Sequence, residues 1–155
     1  MEAPADLDAL MRRALAEAKA AITHDDVPVG ALVVGPDGAV LASRHNERER
    51  SGDPTAHAEV LALRDAAAAL GTWRLDRCSL VVTLEPCPMC AGAAWAARIR
   101  RIVFGAADPK AGAAGTLYNL AADPRLNHEV EVVRGVAADD CARVLQDFFG
   151  ERRAR

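Results

Sequence analysis

Two cysteines follow directly on a stretch with the character of a buried strand. The stretch CSLVVTL, residues 78–84, is apolar and rich in β-branched residues, and Cys87 and Cys90 open the helix that is predicted after it. Because residues three apart share one face of a helix, both thiols are expected at one place just beyond the strand. A CxxC pair alone is compatible with a redox couple, half of a structural zinc site or part of a catalytic metal centre.

Helix and strand patterns alternate along the rest of the chain. Amphipathic spacing predicts a helix over residues 6–21, and two β-rich runs around Pro36-Asp37-Gly38 predict an antiparallel hairpin. The other predicted segments are a polar loop at 44–54, a helix at 56–70 closed by Gly71, a strand at 78–84, a helix at 87–99, a strand at 101–106, a glycine-rich loop at 105–115, a strand at 129–135 and a helix at 137–149. This order predicts the α/β class, a three-layer α/β/α sandwich around one mixed sheet whose later strands are parallel.

Composition and charge narrow the class of protein. A chain of 155 residues that is 51% hydrophobic suits one folded domain. The net charge of -3 means that any nucleic acid would have to bind a local basic stretch, such as residues 98–101 or 152–155. The N-terminus lacks the apolar core of a signal peptide, and no apolar run is long enough to span a bilayer. We therefore expect a cytoplasmic protein with no membrane partner, in which the cysteines do not form a disulfide framework.

A second motif, PTAHAEVLAL at residues 54–63, supplies an imidazole and a carboxylate. It places His57 and Glu59 at the start of a predicted helix, with Thr55 as the expected N-cap. One imidazole and two thiolates suit zinc, and three protein ligands leave the fourth position open, as in catalytic zinc centres. A carboxylate beside that position can carry protons between water and a substrate.

The remaining cysteines and histidines are predicted to serve the structure rather than the metal. Cys78 begins a buried strand and Cys141 lies on the apolar face of the last predicted helix, so both are expected in the core. Polar or turn-like contexts predict exposed or hydrogen-bonded side chains for His24, His45 and His128.

The pattern H-x-E followed by P-C-x-x-C is the signature of zinc-dependent nucleobase deaminases. Similarity extends to further stretches, which are VPVGA (27–31), HN (45–46), DPTAHAE (53–59), LEPCPMCAGA (84–93), FGAADPKAGAAG (104–115), LNH (126–128) and DFF (147–149). Over about residues 10–153, the chain resembles the bacterial tRNA-specific adenosine deaminases (TadA type) of the cytidine deaminase-like superfamily.

The resemblance implies a fold, a cofactor and a reaction. It implies a five-stranded cytidine deaminase-like sheet, a single CMP/dCMP-type deaminase domain over residues 1–155, and a homodimer. The implied reaction is the zinc-dependent hydrolysis of adenosine to inosine at the wobble position of a tRNA anticodon stem-loop, with release of ammonia. His57, Cys87 and Cys90 match the zinc ligands of the family. Glu59 matches the proton shuttle, and Asn46 matches a residue that contacts the flipped nucleotide.

Other substrate contacts are expected around these residues. Backbone groups near Ala58 and Leu84 are expected to orient the base. RNA contact is expected where the glycine-rich loop and the last helix bring basic side chains next to polar or aromatic ones. The predicted RNA-contacting residues are Asp108, Lys110, Asn127, His128, Phe149, Arg152 and Arg153.

Two other functions stay open. A free-base or nucleoside deaminase of the guanine or cytosine type would share the zinc motif, and only the RNA-contact segments argue against it. A non-enzymatic partner subunit would not need the proton carrier Glu59. The clearest departure from the family is AWAARIRR at residues 94–101, where relatives commonly carry a MIHSRI-like stretch. This helix, with Trp95, is expected at the dimer interface.

Overall fold

The structure, a computed structural model, describes residues 6–154. Its helices and strands in chain order are α1 (Leu7–Ile22), β1 (Gly30–Val34), β2 (Val40–His45), α2 (Arg48–Ser51), α3 (Ala58–Leu70), β3 (Ser79–Leu84), α4 (Pro88–Ala96), β4 (Arg101–Ala106), β5 (Glu131–Val133) and α5 (Ala138–Arg153). Within this range, no helix is both long and apolar enough to cross a membrane. The predictions that concern residues 1–5 or Arg155 lie outside the described residues.

The five strands form one mixed sheet in the order β2-β1-β3-β4-β5. Strand β1 pairs antiparallel with β2 and β3, whereas β3, β4 and β5 run parallel. Both the antiparallel hairpin and the parallel course of the later strands are therefore confirmed. The register sets Leu84 beside Ala106, so β3 and β4 end at the same edge of the sheet.

Helices cover both faces of the sheet. On one face, Met11 of α1 and Cys141 of α5 pack with Val81 of β3. On the other face, Ala62 of α3 packs with Val82, the next residue of β3. Neighbouring residues of a strand point to opposite faces, so the two clusters lie on opposite sides of one sheet. The predicted three-layer sandwich is confirmed, and so is the core position of Cys141.

Helix α1 lies unusually close to β1. A Cβ atom added to Gly30 would lie 2.0 Å from the carbonyl oxygen of Ala14 and 2.7 Å from the amide nitrogen of Ala18, so only glycine fits at the start of β1. The Gly30 N–H donates to Oγ1 of Thr83 at 3.1 Å, near the end of β3. The start of β1 and the end of β3 therefore share one edge of the sheet.

Several local boundaries differ from the predictions, and the helix predicted at 87–99 ends at Ala96. Thr55 is wrong as the N-cap of α3, because His57 occupies that position and Thr55 instead donates its hydroxyl to Asp53 at 2.8 Å. The predicted polar loop at 44–54 contains the end of β2 and all of α2. Strand β5 is shorter than predicted, since it pairs with β4 over three residues. Helix α5 continues past residue 149 to Arg153.

Candidate metal centre

Two helix N-termini carry the three candidate metal ligands. His57 is the N-cap residue of α3, and Cys87 is the N-cap residue of α4, where Pro88 occupies the first helical turn. Cys90 lies one turn into α4 and is fully buried. Both helices begin beyond the shared edge of β3 and β4, so the fold brings a histidine and two cysteines from separate segments to one point.

The separations of these ligand atoms fit a tetrahedral zinc ion. Nδ1 of His57 lies 3.7 Å from Sγ of Cys87 and 3.5 Å from Sγ of Cys90. All three ligand atoms lie within 4.8 Å of one another. Zinc bonds of ~2.05 Å to nitrogen and ~2.3 Å to sulfur at a tetrahedral angle separate these atoms by about 3.6 Å. The donor set and its spacing therefore both suit zinc.

The local electrostatics favour a thiolate at Cys87. A hydrogen bond from Cys90, together with one from His57, lowers the pKa of Cys87 to about 4. The pKa of Cys90 is raised because it donates that hydrogen bond and lies buried. Cys87 therefore ionises first, and its position at a helix N-terminus suits a negative charge.

Glu59 presents a buried carboxyl group beside this cluster. It lies in the first turn of α3 and is 4% exposed. Burial raises the pKa of Glu59 to about 7. A carboxyl group with such a pKa can both accept and release a proton near neutral pH.

A cavity of about 200 Å³ opens next to His57 and Glu59, and we call it the inner cavity. Its lining residues are Asp26, Val27, Val29, Asn46, Arg48, His57, Glu59, Leu84, Glu85, Cys87, Asp108 and Ala111. Of the predicted substrate contacts, it thus brings together Asn46, Leu84 and Asp108.

Asn46 already bridges two segments of the protein. Its Nδ2 donates to the carbonyl oxygen of Val27 at 3.0 Å, and its Oδ1 accepts from the N–H of Ala58 at 2.8 Å. An amide offers two donor hydrogens and two acceptor sites, so each end keeps one position for a ligand. The Ala58 N–H, in contrast, is engaged by Asn46, which leaves the expected orienting role near Ala58 as a prediction.

A second cavity, of about 540 Å³, adjoins the first, and we call it the outer cavity. The two share Val27, Leu84 and Asp108 as walls. The outer cavity lies between the loop after β4 and helix α5. Four of the predicted RNA contacts line it, which are Asp108, Lys110, Phe149 and Arg153.

The other predicted contacts lie elsewhere. Arg152 donates to the carbonyl oxygen of Asp25 at 3.3 Å and stacks over the ring of Phe148. Nε2 of His128 hydrogen-bonds the carbonyl oxygen of Ile99 at 3.0 Å, before the start of β4 and thus at the opposite end of that strand from the cluster. Asn127, its neighbour, lines neither cavity. RNA contact by these residues stays a prediction.

Glu85 is a functional residue that the sequence patterns did not single out. It is 1% exposed and accepts the backbone N–H groups of Asp108, Ala114 and Thr116 at 3.0–3.1 Å, as well as the Thr116 hydroxyl. Burial alone would raise the pKa of Glu85, but these hydrogen bonds outweigh it and hold the pKa below the usual value. One carboxylate thus shapes the loop that separates the two cavities. The sequence feature that could have indicated Glu85 is a charged residue directly after a predicted buried strand.

Comparisons with known proteins agree with this fold. Residues 5–153 match the family of MafB19-like deaminases. A structure from studies of A-to-I editing by tRNA deaminases at the wobble position has a TM-score of 0.83 and 44% identity, and covers 87% of this chain and 97% of that chain. A guanine deaminase from Nitrosomonas europaea has a TM-score of 0.78 and 29% identity, and covers 97% of this chain and 86% of that chain. The family match and these structures therefore identify the chain as a deaminase of the cytidine deaminase-like class.

Relatives found by sequence identify the family within this class. The chain is 49% identical to a tRNA-specific adenosine deaminase of Bacillus subtilis, over 94% of this chain and 89% of that protein. It is 52% identical to a protein of Deinococcus deserti named tRNA(Ile)-lysidine synthase, over 98% of this chain but only 28% of that protein. A tRNA-specific adenosine deaminase of Streptococcus pyogenes is 43% identical, over 94% of this chain and 91% of that protein. The chain belongs to the family of tRNA-specific adenosine deaminases.

The role of Glu85 can be tested with Glu85→Gln. The amide accepts hydrogen bonds less strongly and turns its own N–H groups toward backbone donors, so the free energy of unfolding should fall by about 2 kcal/mol. Denaturant unfolding measures this loss, and hydrogen exchange should show lower protection at Ala114 and Thr116. Because the pKa of Glu85 is lowered on folding, the difference should be present at neutral pH and lost as pH falls through that lowered pKa.

Glu129→Gln is the matched control, since Glu129 is exposed. It should change the free energy of unfolding by less than about 0.5 kcal/mol. Equal effects of the two substitutions would contradict an organising role for Glu85.

Proposed function

We propose that this protein is a zinc-dependent hydrolase that converts adenosine to inosine at the wobble position of a tRNA anticodon and releases ammonia. The observation that carries the proposal is the buried carboxyl group of Glu59 beside a three-ligand cluster at the wall of a cavity. The relatives named tRNA-specific adenosine deaminase, at 43–49% identity, support the substrate. A tRNA substrate would also agree with the expected cytoplasmic location.

In this proposal His57, Cys87 and Cys90 hold one zinc ion per subunit. When bound, zinc would supply the Lewis acidity that makes water a nucleophile at neutral pH. The chain contributes two thiolates and one neutral imidazole, and therefore leaves one of four tetrahedral positions open to a reactant. The helix N-termini at His57 and Cys87 add favourable dipoles for the two negative charges.

Glu59 carries the protons in the proposed reaction. It takes one proton from the attacking water as the new C–O bond forms at C6 of adenine, and delivers this proton to N1 of the ring. It then moves the second proton of the water to the amino group, so that the C–N bond breaks and ammonia leaves. The pKa of about 7 suits both directions of transfer, because neither protonation state is strongly disfavoured at neutral pH.

The two cavities suit a nucleotide whose neighbours extend away from it. A flipped base would occupy the inner cavity, with Asn46 as a donor and acceptor beside it. The adjacent nucleotides would follow the outer cavity, where Lys110 and Arg153 are exposed and Phe149 is 42% exposed. Basic side chains around an exposed ring provide charge neutralisation and a stacking surface for single-stranded RNA.

We also infer that residues 1–155 form a single CMP/dCMP-type deaminase domain that works as a homodimer. Met89 and Trp73 support the interface near α4, because they are 37% and 60% exposed apolar side chains. Trp95 extends this surface, and Arg98 lies over the rings of both tryptophans.

Metal content tests the cofactor. Purified protein should contain about one zinc ion per chain, and Cys90→Ser should lose most of it because a neutral hydroxyl replaces a thiolate ligand. Elemental mass spectrometry measures the stoichiometry. Cys141→Ala is the control, since this buried cysteine lies in the core between α1 and α5 and should retain zinc. A wild-type protein without zinc, or full occupancy in Cys90→Ser, would contradict the site.

Glu59→Gln tests the proton carrier. The amide preserves the shape of the buried side chain but cannot accept a proton, so kcat should fall by about 10²- to 10⁴-fold. Zinc content and the affinity for a stem-loop RNA should stay unchanged, which separates chemistry from binding. Glu131→Gln, at an exposed position of β5, should retain full activity. Full activity in Glu59→Gln would exclude the assigned role.

The substrate is tested with an anticodon stem-loop that carries a wobble adenosine, beside free guanine, cytosine and adenosine. We expect ammonia release and inosine formation only with the stem-loop, and none with a stem-loop that has guanosine at that position. Release from a free base alone would instead favour the guanine or cytosine type of deaminase.

Arg153→Ala connects this measurement to the outer cavity. It should weaken stem-loop binding and reduce the slope of the logarithm of the binding constant against the logarithm of the salt concentration by about 1. Arg143→Ala on the same helix is the control, because Arg143 pairs with Asp140 outside the outer cavity. Equal effects of the two variants would contradict RNA binding along the outer cavity.

A further inference from the structure

Four side chains form a continuous line of hydrogen bonds behind the inner cavity. Glu17 of α1 contacts Nδ1 of His45 at 2.6 Å, and Nε2 of His45 contacts Nε2 of His24 at 3.1 Å. Nδ1 of His24 then contacts Asp26 at 2.6 Å. The two imidazole rings have centroids 5.2 Å apart, and both histidines are largely buried, with 15–16% of each side chain exposed. We call these four residues the histidine relay.

The relay needs one proton more than its residues carry when both histidines are neutral. Each of its three contacts joins two atoms that both have lone pairs, so each contact needs one proton. Two neutral imidazoles and two carboxylates bring only two protons. This count holds for every tautomer and for every position of the protons along the line. An intact relay therefore holds a third proton, shared between two largely buried histidines and two carboxylates.

Asp26 connects the relay to the inner cavity. It is 2% exposed, lines that cavity, and accepts the N–H groups of Glu49 at 2.7 Å and Arg50 at 3.1 Å. Burial alone would raise the pKa of Asp26, but these hydrogen bonds and the one from His24 outweigh it and lower the pKa. Asp26 thus holds the first turn of α2 in place.

The residues just before those that Asp26 holds reach the inner cavity. Asn46 and Arg48 flank the start of α2, and both line the inner cavity. Val27, next to Asp26, accepts the side-chain N–H of Asn46. A displacement of Asp26 and its neighbour would therefore be transmitted to two groups of the cavity wall.

We propose that His24 and His45 are positioning residues for the deamination reaction, because the proton that they share keeps Asp26 against α2 and so fixes Asn46 and Arg48 at the cavity. This inference rests on the proposed function of the same cavity. When the shared proton is lost, two protons remain for three contacts, so two lone pairs face each other at one of them and that contact opens. The line from Glu17 to Asp26 is then broken, and Asp26 is held against α2 less firmly.

The charged groups that contact the pair come from two elements. Glu17 reaches it from α1, and Asp26 reaches it from the connection between α1 and β1. Asp25, beside Asp26, is exposed and pairs with Arg152. Glu49 and Arg50 join the relay through their backbone N–H groups rather than their side chains. Among the described residues, the two carboxylates are thus the charged side chains that hydrogen-bond the histidine pair.

Nuclear magnetic resonance of the zinc-loaded protein tests the shared proton directly. With ¹⁵N-labelled histidine rings, only four histidines contribute signals. We expect an exchange-protected ring proton between the two Nε2 nitrogens of His24 and His45 at neutral pH. The amide signals of Glu49 and Arg50 should shift with the same midpoint as this ring proton when the pH is raised. Two unprotonated Nε2 nitrogens at neutral pH, or amides that do not follow the rings, would overturn the proposal.

Two variants distinguish a specific role of the shared proton from a general loosening of the structure around Glu17. His45→Gln can still donate to Glu17 but cannot hold the shared proton, so the protected ring proton and the pH response of the Glu49 and Arg50 amides should disappear. Ser43→Ala removes the other hydrogen bond to Glu17, at 3.0 Å, and should preserve both signals. Loss of the signals in Ser43→Ala as well would show that any change around Glu17 disrupts the relay, and would contradict a specific role for the shared proton.

Activity on the stem-loop RNA completes the test. In wild type and in Ser43→Ala, kcat/KM should fall as the pH is raised, with the same midpoint as the loss of the shared ring proton. In His45→Gln, this fall of kcat/KM should be absent. At neutral pH, His45→Gln should lower kcat/KM about tenfold, which corresponds to ~1.4 kcal/mol, chiefly through KM and with zinc content unchanged. An unchanged fall of kcat/KM with rising pH in His45→Gln would overturn the positioning role. Failure of every protein to deaminate RNA would contradict the proposed function, whereas the ring and amide signals decide the relay independently.

Discussion

The site depends on two helices that begin at the same edge of the sheet. Helix α3 comes after β2 and helix α4 after β3, and β1 pairs antiparallel with both strands, so β2 and β3 end at the same edge and the two helix N-termini lie together. His57 and Cys87 are the N-cap residues of these helices, so their side chains point past the helix ends toward each other. Together with Cys90, they form a group of three side chains that could hold a metal ion.

Buried carboxylates with different pKa values surround this point. Glu59 has few compensating hydrogen bonds, and its burial raises the pKa to about 7, which suits proton transfer. Glu85 and Asp26 also have little solvent exposure, but they accept several N–H groups, which keep their pKa below the ordinary value. A carboxyl group is thus suited to proton transfer in one environment, whereas in two others it holds backbone segments.

Much of the fold could be predicted because hydrophobic periodicity and turn residues report on local structure. The helix around Met11, the hairpin at Gly38 and the helix end at Gly71 all follow from such patterns. The N-cap of α3 was wrongly predicted at Thr55, since the choice between Thr55 and His57 depends on neighbours outside the helix. The relation of Asn127 and His128 to the cavities could not be predicted either, because it depends on which end of β4 their loop reaches.

By itself, the sequence determined which residues form the candidate site, because HAE and PCPMC already place a histidine, two cysteines and a carboxyl group at or near helix starts. It also determined the family, through stretches spread over most of the chain. Only the tertiary structure decided which polar residues support that site. Glu85 meets a loop more than twenty residues away, and the histidine relay joins α1 to β2. Such contacts depend on packing between distant segments, and no local pattern encodes them.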